Sequence, residues 1–74
     1  MEHKPVKSSN IESHAYDPET MTLELRFRGQ SSTYSYANVP KHVYEGLISA
    51  DSVGGYFHKR IKGQFDFTKV GAKD

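Results

Sequence analysis

Tyr34 and Tyr36, in the run Thr33-Tyr34-Ser35-Tyr36-Ala37-Asn38-Val39-Pro40, offer the most chemistry in this chain. Two residues apart on a strand, both rings point to one face. There they either pack between sheet and helices, each hydroxyl reaching a polar partner at the rim, or present a paired surface on which bases stack. Arg26 and Arg28 would then track phosphates from the neighbouring strand, provided that their face is also the tyrosine face. Lys59, Arg60 and Lys62 form a second basic group, with no acidic residue between Ser52 and Phe65. The plainer reading of that group is a solvated helix end, where cations complement the helix dipole.

Ser52, Gly54 and Gly55 are a weaker candidate. A serine followed by two glycines at a helix start presents backbone N–H groups without obstructing side chains, the ingredients of an anion site. Alternatively the glycines let this helix approach its neighbours closely. His3, His14, His42 and His58 contain no i, i+3 or i, i+4 pair, so no metal site is expected. No serine, threonine or carboxylate stands in a recognised nucleophile or acid–base motif. A core this small also leaves little room for a water-excluding pocket, so neither catalysis nor a cofactor is expected.

The elements that must position these side chains follow from periodicity. Residues 1 to 7 mix charges with Pro5 and read as a loose arm that Val6 begins to anchor. Ile11 to Tyr16 is a poorly alternating strand, and Asp17-Pro18-Glu19-Thr20 is a turn in which proline presets φ. Thr22 to Arg28 alternates cleanly, with Leu23, Leu25 and Phe27 on one face and Glu24, Arg26 and Arg28 on the other. A loop opened by Gly29 leads into a third strand, Thr33 to Ala37. Pro40 suits a first helical turn, and Val43, Leu47 and Ala50, widened by Tyr44 and Ile48, predict a helix from about Pro40 to Ala50. Asp51 or Ser52 caps a second helix carrying Val53, Phe57 and Ile61, which Gly63 ends. Phe65-Asp66-Phe67 alternates and lies extended across the sheet edge or over the helices, and the chain from Gly71 onward frays.

Composition bounds the function. A chain of 74 residues is one domain, and about 60% of the surface exposed by its unfolded form is buried at this size. Without cysteine it has neither disulfides nor thiolate metal sites. No apolar run reaches membrane-spanning length and the first ten residues are not signal-like, so a cytoplasmic protein with no membrane association is expected. Ten Lys plus Arg against nine Asp plus Glu leave a formal charge of +1, which excludes nucleic-acid binding by bulk charge alone.

Taken in order, Val6, Ser8-Ser9, Ile11, Tyr16-Asp17, then Leu23, Leu25, Phe27 and Gly29 form one series. Tyr34 and Tyr36, Val39-Pro40, Val43-Tyr44, Leu47, Ala50, Ser52, Gly54 and Tyr56-Phe57 continue it. The whole series resembles the KTSC domain, a small module named from the C-terminus of some lysyl-tRNA synthetases and also free-standing in bacteria and phages. Two departures from its pattern stand out: His14-Ala15 replaces the usual small apolar residue and glycine, and His58 replaces an asparagine. The resemblance implies strands followed by helices and, by association with the synthetase, RNA binding. The expected fold is α+β, a three-stranded antiparallel meander followed by two C-terminal helices packed on it. It forms one domain over residues 6–70, with flexible ends at 1–5 and 71–74. The expected function is a non-catalytic module binding RNA or other single-stranded nucleic acid through Tyr34, Tyr36, Arg26, Arg28, Lys59, Arg60 and Lys62. The alternative is a protein-interaction or homodimerising domain with no nucleic-acid role.

Overall fold

Each strand pairs with its neighbour in sequence, because every connection but the last is short. The computed structural model describes residues 3–6, 10–30 and 32–72. Five strands, β1 (Lys4–Pro5), β2 (Ile11–Asp17), β3 (Thr22–Phe27), β4 (Ser32–Tyr36) and β5 (Phe67–Ala72), form one antiparallel sheet in the order β1-β2-β3-β4-β5. Helix α1 (Lys41–Ser49) and helix α2 (Val53–Tyr56), which continues as a π-helical turn (Phe57–Ile61), lie in the one long connection, between β4 and β5. Among the described residues no helix is long and apolar enough to cross a membrane.

The architecture is α+β as expected, but the sheet has five strands rather than three, and the helices are not C-terminal. The tail returns to pair with β4, setting Tyr36 opposite Phe67 and Ser32 opposite Ala72. The physical reason is the edge that a three-stranded sheet would leave: β4 would carry a row of unpaired N–H and C=O groups, which β5 satisfies. Gly71 and Ala72 therefore belong to a strand, while Lys73 and Asp74 lie outside the described residues. At the other edge Lys4 and Pro5 pair with His14 and Ser13, so part of the expected loose arm is a strand too short to show periodicity. His3 fastens it, with Nδ1 2.9 Å from Ser13 Oγ and Nε2 3.0 Å from Glu24 Oε1.

The core lies on one face of the sheet, under the helices. Leu23 and Leu25 are fully buried there, opposite Tyr36 and Tyr34. The weak alternation of β2 has a structural cause: the register shifts between Ile11 and Ser13. That bulge returns Ile11, fully buried opposite Phe27, to the face on which His14 and Tyr16 lie. Helix α1 begins after Pro40, whose extended backbone makes it the N-cap rather than the first helical residue. It buries Leu47, while Ile48, expected on the apolar stripe, is exposed. Val53, Phe57 and Ile61 are all buried on the second helix, and Gly63 ends it at φ +80°. Its last turn is π-helical, closed by the Lys62 N–H donating to the Phe57 carbonyl at 2.8 Å.

Candidate functional site

Tyr34 and Tyr36 sit on the core face of β4, the strand next to the β5 edge. Cross-strand neighbours share a face, so pairing with Leu25 and Leu23 directs both tyrosines toward the second helix. Around them five rings close a circuit of contacts. Phe27 meets Tyr34 at 5.3 Å between centroids, Tyr34 meets Phe67 at 5.4 Å, and Phe67 meets Tyr36 at 5.5 Å. Tyr36 meets Phe57 at 5.8 Å, and Phe57 returns to Phe27 at 5.2 Å. Edge-on and tilted geometries predominate, as the ring quadrupoles favour.

The circuit walls a cleft of about 280 Å³ whose remaining lining is Asn10, Ile11, Gln30, Gly54, His58 and Lys62. Its depth is graded. Tyr36 is 4% exposed at the base and Phe67 is 54% exposed at the mouth. Burial, with a smaller contribution from Tyr34, pushes the Tyr36 phenol up to about 12, so it stays a neutral hydroxyl at any ordinary pH. The Tyr34 hydroxyl donates a long bond, 3.4 Å, to Gln30 Oε1 at the rim. Among the described residues no carboxylate lines the cleft, and Lys62 is its one permanent charge. The arrangement can receive a flat, apolar-faced group, with an anionic substituent directed to Lys62.

The other candidate residues distribute differently. Arg26 lies opposite Thr33 on the far face of the sheet, where its Nε donates to Thr33 Oγ1 at 3.1 Å. The structure therefore does not bring Arg26 to the tyrosine face, and Arg28 lies exposed just beyond β3. Lys59 and Arg60 line a separate hollow with His42, Val43, Tyr56, Gln64 and Phe65. Of the expected basic group, only Lys62 reaches the aromatic cleft.

At the start of α2 the serine fills the place expected for an anion. Ser52 Oγ accepts the Gly55 N–H at 3.1 Å, and a Cβ on Gly55 would lie 2.9 Å from that oxygen. Gly55 is thus matched to its own cap. The glycine that permits close approach between helices is Gly46 of α1, where an added Cβ would lie 2.8 Å from Tyr56 Cζ. Nothing in the local pattern of α1 marks that position.

Farther along the sheet, His14, Tyr16 and Tyr44 form a polar cluster at the edge of the core. Tyr44 stacks on Tyr16 with centroids 4.6 Å apart, and its hydroxyl lies 3.0 Å from His14 Nδ1. The Tyr16 hydroxyl donates to the Val39 carbonyl at 2.5 Å. Burial, then the charges of His3 and Lys4, hold the His14 imidazole below the usual histidine range. Among the described residues no group of three His, Cys, Asp or Glu is placed to hold a metal ion.

Phe27, Phe57 and Phe67 complete the cleft and were not among the expected site residues. The first two are indistinguishable in sequence from core residues. Phe67 has a legible sign, its alternation with Phe65, but its place depends on the β4–β5 register.

Comparison with known proteins accords with this fold. The KTSC domain model matches residues 7–65. A lysine–tRNA ligase of Nostoc sp. is 45% identical over 64 residues, which cover 86% of this chain. The match spans only 11% of that ligase. A protein of Tsukamurella paurometabola is 42% identical over 62 residues, covering 84% of this chain and 91% of its own length. The crystal structure of a KTSC domain protein from Yersinia pestis superposes with a TM-score of 0.90 at 43% identity, over 95% of this chain and 97% of the other. With the family model matching most of its length and the fold shared nearly end to end, this chain belongs to the KTSC domain family.

Proposed function

We propose that this domain is a non-catalytic module that takes an unstacked base of single-stranded nucleic acid, RNA above all, into the aromatic cleft. The observation that carries the reading is the five-ring circuit with Lys62 in the wall of its cleft. Stacking on such rings is worth roughly 1–3 kcal/mol per base and tolerates any sequence. Lys62 meets a neighbouring phosphate, which makes affinity fall with salt. The similarity to lysine–tRNA ligases, enzymes whose substrate is an RNA, agrees with this reading.

The test is titration of the full chain with short single-stranded RNA, duplex RNA and single-stranded DNA at two salt concentrations, followed by backbone amide shifts. Shifts should centre on Tyr34, Tyr36, Phe67 and Lys62 for single strands. Phe67→Ala should weaken binding by about 1–3 kcal/mol if one base stacks there. A silent titration, or full affinity in Phe67→Ala, removes the reading.

A second reading has its own observation. Strand β5 is the long free edge of the sheet and carries Phe67 and Val70, 54% and 45% exposed. An extended segment of another protein, or of a second copy, can add to such an edge. A monomeric mass that holds at high concentration counts against the homodimeric version.

A further inference from the structure

Two of the basic residues that do not reach the aromatic cleft, Lys59 and Arg60, share a hollow of their own. The second helix divides its own basic residues. His58 and Lys62 line the aromatic cleft on one side of the π-helical turn, while Lys59 and Arg60 line a wider hollow, about 760 Å³, on the other. That turn is a rare helix geometry that is frequent at functional sites. Helix α1 supplies the facing wall with His42 and Val43, and Gln64 and Phe65 contribute from the loop beyond Gly63. Tyr56 stands between the two helices, its ring lying where a side chain on Gly46 would intrude.

Three features of this hollow go together. Its lining contains two permanent cations, a histidine, a phenol and an amide, and no carboxylate. Most of these groups are also unused. Other polar groups of comparable position are engaged: Arg26 with Thr33, Lys41 with Glu45, His3 with Glu24, His14 with Tyr44. By contrast, among the described residues the side chains of His42, Tyr56, Lys59, Arg60 and Gln64 make no hydrogen bond or ion pair. Finally, Val43 and Phe65 form an apolar part of the wall beside the charges. Asp66 lines the adjoining hollow and not this one.

We infer that the hollow between α1 and the second helix is a binding site for a phosphate group, with Arg60 and Lys59 as its cationic donors and the Tyr56 hydroxyl and Gln64 amide as neutral ones. The planar fork of Arg60 suits two phosphate oxygens at once, and Lys59 adds a point charge. This site is distinct from the aromatic cleft and does not depend on base stacking there. A nucleic-acid backbone and a phosphorylated small molecule present the same phosphate group to this recognition chemistry.

The experiment is an amide-shift titration of the full chain with inorganic phosphate, matched in ionic strength by chloride. Saturable shifts at His42, Lys59, Arg60 and Gln64 are expected with phosphate and not with chloride. The double variant Lys59→Gln, Arg60→Gln should bind phosphate at least tenfold more weakly, and both positions are exposed, so folding is preserved. Phe67→Ala should leave phosphate binding unchanged, which separates this site from the base-binding reading. Repeating the titration with adenosine 5′-monophosphate and with a short RNA identifies the source. Equal affinity for the monophosphate indicates a small-molecule phosphate, and much tighter binding of the RNA indicates a backbone phosphate. Shifts that chloride reproduces, full phosphate affinity in the double variant, or shifts centred on Lys62 and Tyr34 would overturn the assignment.

Discussion

Replacing Gly46 by alanine tests the packing that places Tyr56. In an ordinary helix interior the change is favourable by about 1 kcal/mol, because glycine is the poorer helix former. Here the new Cβ would collide with the Tyr56 hydroxyl oxygen and lie 2.8 Å from Cζ and 3.0 Å from Cε2. Carbon atoms in good contact sit about 3.5–4.0 Å apart, so the ring must retreat by roughly 1 Å or swing outward. Overpacking of this kind costs about 1–3 kcal/mol. The net effect of Gly46→Ala is a destabilisation of about 0–2 kcal/mol once the propensity gain is subtracted. In a Tyr56→Ala background the obstruction is gone, and the same change should stabilise by about 1 kcal/mol. Equilibrium urea unfolding of the four proteins closes a double-mutant cycle with a coupling of about 1–3 kcal/mol, well above measurement error. If Gly46→Ala has the same effect with and without the Tyr56 ring, the close approach does not govern that site.

Two further perturbations address the His14 cluster. Tyr16→Phe keeps the ring on Tyr44 but removes the hydroxyl that holds the Val39 carbonyl just before α1, and should cost about 1 kcal/mol in urea unfolding. An unchanged midpoint would mean that water replaces the hydroxyl without loss. His14 binds its proton less readily folded than unfolded, so its contribution is fully present above its ordinary pKa of 6.5 and is lost as pH falls through and below that value. The melting temperature should therefore drop on acidification across this window, with a shallower drop in His14→Gln. Identical slopes in the two proteins would refute the assignment to His14.

Much of the scaffold was legible because it rests on local rules. The alternation of Leu23, Leu25 and Phe27, the i, i+4 recurrence of Val53, Phe57 and Ile61, and the stop at Gly63 each reflect a backbone period or a steric preference carried by a few adjacent residues. Those elements stand where their patterns put them. The short β1 and the bulge in β2 were not legible. Two residues have no period, and the bulge only registers as weak alternation until the pairing of Ile11 with Phe27 is known.

The sequence by itself determined the α+β class, strands β2, β3 and β4, both helical segments and the family to which the chain belongs. It also placed two tyrosines on one face, since a strand's period is a property of the chain alone. Which face that was, and what shared it, only the tertiary structure decided. The β3–β4 register sets Tyr34 and Tyr36 against Leu25 and Leu23, away from Arg26. The return of β5 adds Phe67 to close the aromatic circuit, and the π-helical turn divides Lys59 and Arg60 from Lys62. Register, edge pairing and helix rotation arise from contacts between residues far apart in the chain, where a shift of one position exchanges one face for the other.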